Sequence, residues 1–356
     1  MSILNNIEKK LANKRIPMGV TFEVTKKCNL DCVHCYVDHD DINKELTIEE
    51  QKKIIDELYE LGVIYITFSG GELFVKKGVW ELFEHTRSKK IGFKIITSGT
   101  TLNKEEMDRL KDLGILEVGI SIYSDKDEVH DKITKRKGSL QKSLATGKYL
   151  AEIGVTVVSK TVIMTFNQND IEKIYNQSVL MGMLPTFDLS IIDAENNVRN
   201  PKKYALSQEE IHSLFTNNVT KKILLQSKAL EEGYCGDEYS FAPDDRRCGL
   251  GSSTMWIDSK GGVFPCLIYP DPIGSLKENT LKEIWYQGEE IKEVLELVKY
   301  KSYTSCHGCD AESFCSPCIA LTLLEGKKGS CNTASYNRSH AQKQISDDFN
   351  NKAIVK

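Results

Sequence analysis

The chain has 356 residues, with 47 basic and 51 acidic side chains and a formal net charge of −4. That near balance excludes the strong positive field that gathers nucleic acid or an anionic membrane surface. No signal-peptide core opens the sequence and no apolar run is long enough to span a bilayer. The expected compartment is therefore the cytoplasm, where eleven clustered cysteines read as metal ligands rather than disulfides. A chain of this length buries a core without disulfide staples and has room for two domains.

Residues 1–16 have helical periodicity, and Met18 to Val24 read as a first strand. The loop after it, Lys26-Lys27-Cys28-Asn29-Leu30-Asp31-Cys32-Val33-His34-Cys35-Tyr36, spaces three cysteines as C-x3-C-x2-C. A strand leading into that loop points all three sulfurs toward one spot above the strand end. Three thiolates hold three irons of a four-iron four-sulfur cubane that normally takes four, and leave one iron for a ligand that is not protein. A structural zinc knuckle is the rival reading, although zinc favours four closed ligands.

Thr47 and Glu50 form the capping-box pattern of a helix running to about Leu61-Gly62. Val63 to Phe68 then reads as a buried strand ending in Ser69-Gly70-Gly71-Glu72. Glycines there allow a ligand close to the backbone, and the carboxylate after them can face an ammonium group; a plain strand–helix turn fits the same residues. Helices are expected over 80–89, 104–113, 139–153 and 170–181, with strands over 92–97, 116–122, 156–163 and 186–192. Six strand–helix units in series imply an α/β fold with parallel strands and right-handed crossovers, compatible with a barrel or an open sheet. Ser98 ends the third strand, Ser121 lies in the fourth, and Asn167 follows the fifth, where capping the next helix is its simplest role. Lys132, Lys135, Arg136, Lys137 and Lys142 form a local basic run, read either as a solvated face or as a contact for an acidic peptide.

A polar stretch at Asn196–Pro201 marks the exit from a first domain over 1–200, followed by a helical linker over 201–243 with a helix from Ser207. The cysteines then return as Cys235, Cys248, Cys266, Cys306, Cys309, Cys315, Cys318 and Cys331, which sets a second domain over 244–340 and leaves 341–356 as a polar tail. Met255 to Phe264 reads as a β-hairpin turning at Ser259–Gly262, which brings Cys248 near Cys266. Zinc is again the rival metal, since paired C-x2-C motifs suit it.

The cysteine loop and the Gly-Gly-Glu after the next strand closely resemble the signature of radical S-adenosylmethionine (SAM) enzymes, and the C-terminal spacing resembles their SPASM extension. The departure is C-x2-C at Cys315–Cys318, where C-x3-C is usual. The resemblance implies a partial (β/α)6 TIM-like barrel with its site at the C-terminal strand ends, followed by a small cysteine-rich domain. It implies that Cys28, Cys32 and Cys35 hold a [4Fe-4S] cluster whose open iron chelates SAM. Reduction of bound SAM then gives a 5′-deoxyadenosyl radical that abstracts hydrogen from substrate. Cofactor contacts implied are His34, Ser69, Gly70, Gly71, Glu72, Ser98, Ser121 and Asn167. Cys306, Cys309, Cys315 and Cys331 would hold an outer auxiliary cluster, and Cys248, Cys266 and Cys318 an inner one. Cys235 would complete the inner cluster, donate a hydrogen atom to a substrate radical, or be inert. Three clusters amount to about twelve irons.

Residues 121–139 resemble the subset of the family that modifies ribosomally made precursor peptides, so the expected activity is a cross-link or related change in such a peptide. With 27 residues before Cys28, leader recognition is expected from a separate binding protein or from the barrel itself. A flavodoxin- or ferredoxin-type protein would supply electrons. The alternatives are a sulfatase-maturing, formylglycine-generating enzyme, a haem-pathway oxidative decarboxylase, and a non-catalytic iron–sulfur electron carrier.

Overall fold

The computed structural model describes residues 11, 13–39, 41–195, 199–226, 242–326 and 330–354. Six strands, β1 (Gly19–Glu23), β2 (Tyr65–Ser69), β3 (Gly92–Thr97), β4 (Glu117–Ser121), β5 (Val157–Val162) and β6 (Leu184–Asp188), pair in parallel and in sequence order. Helices α1 (Ile48–Leu61), α2 (Val79–Ser88), α3 (Lys104–Asp112), α4 (Asp127–Thr134), α5 (Ser139–Glu152) and α6 (Ile171–Leu180) fill the crossovers. The sheet stays open, and its order is β6-β5-β4-β3-β2-β1-β7-β8-β9.

Alternation along the strands separates two faces. Val20, Phe22, Ile66, Phe68, Phe93 and Ile95 are buried toward the helices, where Phe83 of α2 stacks on Phe93 with ring centroids 5.3 Å apart. The opposite, concave face carries polar side chains, among them Lys94, whose ammonium lies 3.1 Å from Glu117. Helix starts follow the sequence closely. Thr47 and Glu50 make both capping-box bonds, and α1 stops at Gly62, whose φ of 86° suits glycine.

The last third is joined to this sheet rather than merely following it. Strand β7 (Thr254–Ile257) pairs in parallel with β1, and β8 (Gly262–Phe264) and β9 (Gly274–Ser275) continue antiparallel. Helices α9 (Leu281–Gln287), α10 (Glu289–Leu297) and α11 (Ile319–Leu324) follow in this last third, with α9 against α1, whereas α7 (Gln208–Thr216) and α8 (Asn218–Gln226) pack on each other and α8 on α6.

Three points depart from expectation. Strand β6 begins two residues before the expected 186, and an edge position tolerates Pro185. Helix α4 was not anticipated. The tail expected over 341–356 is helical through Ile354, as part of α12 (Thr333–Ile354); its contact face uses Ser335, Ser339 and Ala341, small residues that hydropathy periodicity does not flag. The expected helix over 1–16 falls mostly outside the described residues. Among the described residues, no helix is long and apolar enough to cross a membrane.

Candidate functional site

The cysteine loop is stitched down on both sides. Beyond β1, Gly71 N–H donates to the Thr25 carbonyl and Glu72 N–H to the Lys27 carbonyl, each at 2.8 Å. The glycines are needed for this contact. A Cβ on Gly70 would overlap the Thr25 carbonyl, and one on Gly71 the carbonyls of Lys26 and Lys27. What comes close to the glycines is thus the chain's own backbone on its way to Cys28. On the other side, Asp31 N–H and Val33 N–H donate to Thr134 and Ile133 at the end of α4, at 3.2 and 2.9 Å. The Asp31 carboxylate receives Lys135 at 2.8 Å and Arg199 at 2.5 Å. Part of the basic run therefore braces the cysteine loop.

The three sulfurs converge. Burial raises the Cys32 thiol, and the charges of Cys35 and Cys28 raise it further. Burial likewise pushes Cys35 up to about 11, and burial and the nearby Glu72 raise Cys28. Thiols crowded this way become thiolates only when a cation compensates them, which fits a metal cluster. His39, not singled out in the sequence, bridges the Cys35 sulfur at 3.5 Å and the Lys26 carbonyl at 2.7 Å.

Glu72 is fully buried. Its carboxylate accepts from the hydroxyls of Thr97 at 2.7 Å and Ser98 at 2.6 Å, and from Ser98 N–H at 2.8 Å. Ser98 continues through Thr100 to Asn29 of the cysteine loop, each step 2.8 Å. Among the described residues no cation pairs with Glu72, so its charge fits a ligand ammonium arriving beside Cys28. His34 meets Tyr123 edge-on at 4.6 Å, and burial lowers its pKa to about 4, so it is neutral. Ser121 ends β4 on the concave face, and Ser69 ends β2 beside Glu23. Asn167 does not cap the following helix, which starts after Asp170. Its buried amide instead ties Met164, Tyr123 and Val162 backbone groups.

Glu23 carried no signal in the sequence beyond its place in a strand. It is 1% exposed, accepts from Ser259 N–H at 3.2 Å, and is pushed up to about 7 by burial.

The C-terminal cysteines form two groups. Cys306, Cys309, Cys315 and Cys331 line one cavity of about 250 Å³ with Arg247 and His340. Burial pushes Cys306 up to about 11, with Cys315 and Cys331 adding charge. Cys309, Asp310 and His340 also place one ligand atom each within 4.8 Å of the others, a juxtaposition invisible to spacing rules. Cys266, pushed up to about 12 by burial, feels Cys318 and Cys248. Cys235 lies outside the described residues. Cys248 precedes β7 and Cys266 follows β8, so this trio sits at the N-terminal ends of the parallel strands, opposite the first cysteine loop. A cavity of about 790 Å³ joins Cys248 and Cys266 to Gly19, Thr21, Tyr65 and Thr67. Four residues of strand, about 13 Å, separate the levels of Tyr65 and Ser69.

The Radical SAM superfamily model matches residues 22–177, and the SPASM iron-sulfur cluster-binding domain matches residues 248–310. The chain is 26% identical to the antilisterial bacteriocin subtilosin biosynthesis protein AlbA of Bacillus subtilis, over 93% of this chain and 73% of that protein. It is 23% identical to an AdoMet-dependent heme synthase of Methanosarcina barkeri, over 87% of this chain and 93% of that protein. The fold is similar to that of SuiB from Streptococcus suis bound to S-adenosylmethionine, with a TM-score of 0.71 at 15% identity, covering 93% of this chain and 81% of that one. With its open sheet, its converging cysteines and both matched domains, the chain belongs to the radical SAM superfamily and carries a SPASM domain, and so implies [4Fe-4S] clusters and SAM as its cofactors.

Proposed function

We propose that the chain is a radical SAM/SPASM maturase that removes hydrogen from a residue of a ribosomally made precursor peptide and leaves a cross-link or related modification. The observation that carries this is the 790 Å³ cavity running from the concave face of β1 and β2 to Cys248 and Cys266, in a chain similar to AlbA over nearly its whole length. A substrate side chain there would lie between two cysteine sites. When bound, the cluster at Cys28, Cys32 and Cys35 would supply the electron that splits SAM. Two auxiliary clusters at the C-terminal cysteines would bring the count to three.

The chain's own residues set the geometry. Thr97 and Ser98 fix the Glu72 carboxylate, which would hold the SAM ammonium beside Cys28. The Ser98–Thr100–Asn29 hydrogen bonds tie that carboxylate to the cysteine loop, so both ends of the nucleotide site move together. Neutral His34, set edge-on to Tyr123, contributes an apolar ring surface and no charge. A flavodoxin- or ferredoxin-type donor and a separate leader-binding protein would complete a cytoplasmic system.

The test is anaerobic incubation of the reduced chain with SAM and a short precursor peptide encoded beside its gene. Mass spectrometry should show 5′-deoxyadenosine together with a peptide lighter by two hydrogens. Deoxyadenosine without peptide change would reject the substrate. The similarity to a heme synthase over 87% of the chain supports one rival, oxidative decarboxylation of a porphyrin. Tight porphyrin binding and turnover would favour that rival.

A further inference from the structure

Two guanidinium groups close on the segment Cys315-Ser316-Pro317-Cys318. Arg247 donates to the Cys315 carbonyl and Arg338 to the Ser316 carbonyl, each at 3.2 Å. This segment gives Cys315 to the four-cysteine cavity and Cys318 to the trio with Cys248 and Cys266. It is therefore the covalent link between the two sites.

Arg247 is 5% exposed and lines the four-cysteine cavity. Cys306, Cys309, Cys315 and Cys331 line that cavity with it, and Arg338 holds the same segment one residue further on. The Glu312 carboxylate lies 3.7 Å from Arg247 but is 23% exposed, so solvent screens it more. Donating to a carbonyl requires no charge, yet a guanidinium stays ionised at every pH the fold survives. In a buried setting its field acts strongly on neighbouring charges. Groups just outside a cluster's ligands set its reduction potential.

We propose that Arg247, assisted by Arg338, is a positioning residue for electrons: it raises the reduction potential of the outer cluster relative to the inner one. One electron then passes outward; the inner cluster is oxidised and the outer reduced, with no bond made and no proton moved. This rests on the reading that both cysteine groups hold four-iron clusters.

The test is a redox titration of the anaerobic protein followed by electron paramagnetic resonance, in wild type, R247K, R247Q and E312Q. R247Q should shift the outer midpoint to more negative potential and the inner one less. R247K should stay near wild type, and E312Q should move the outer midpoint the opposite way. Equal outer midpoints in wild type and R247Q overturn the inference, as does R247K shifting as far as R247Q. Should R247Q fail to hold iron, R338Q and E312Q carry the same test of sign, and no shift in either overturns it. Iron content separates the two levels. About four irons in the wild-type chain remove the auxiliary clusters and this inference with them, whereas about twelve with unmoved potentials sink the inference alone.

Discussion

The two cysteine regions are built by different means. Around Cys28, Cys32 and Cys35 the backbone itself is paired, to Gly71 and Glu72 on one side and to the end of α4 on the other. Around Cys306, Cys309 and Cys315 the backbone bonds are local, closing short turns within the segment, and Arg247 and Arg338 reach its carbonyls at Cys315 and Ser316 from elsewhere in the chain. Backbone pairing to a sheet holds a loop in shape without metal, while isolated turns lean on what they ligate. The first loop should therefore keep its shape without metal, and the second should depend more on what it ligates.

The largest contrast comes from removing one ligand at each. Cys28→Ala should abolish deoxyadenosine formation from SAM. Cys309→Ala should lower iron by about four atoms per chain while SAM cleavage persists. Retained cleavage in the first variant would break the assignment of that site.

A smaller contrast is steric. Gly71→Ala drives a Cβ into two carbonyls and should cost about 3 kcal/mol, read as a lower Tm. Gly308→Ala, at φ +80° with open space around it, should cost about 1 kcal/mol. Equal losses would mean that the first loop is no tighter than the second.

Hydrogen exchange on iron-free protein sharpens the same point. Amides of Gly71, Glu72 and Val33 should stay protected, while those of Cys309 and Cys315 exchange faster than in the loaded protein.

The smallest effect is on pH. The Glu23 carboxyl, raised to about 7 in the fold from an ordinary value of about 4.3, stabilises fully below that ordinary value. The contribution is lost as pH rises through 7. Glu23→Gln should therefore flatten the stability profile between pH 5 and 8, and an unchanged slope in chemical denaturation would refute it.

Much of this arrangement was legible in the residues. Strand and helix order followed from periodicity, and Thr47 and Glu50 located a helix start to the residue. Spacing brought out the first three cysteines, while the grouping of the C-terminal ones came from the family resemblance. What escaped were contacts between parts distant in sequence. That Gly71 meets Lys27, that Lys135 braces Asp31, and that β7 pairs with β1 depend on tertiary register, which no local pattern encodes. Asn167 was misread as a helix cap for the same reason, because its partners lie on β4 and β5 loops. Helix α12 hid because its buried face is made of serine and alanine.

The pairing of β7 with β1 also has a consequence for biogenesis. During synthesis the outer edge of β1 presents bare peptide groups until Thr254 has left the ribosome, and such an edge invites association with other chains. A fragment ending before β7 would keep that adhesive border permanently, so the N-terminal half is not a module that can be cut free, and a nascent chain stalled there is a substrate for chaperones.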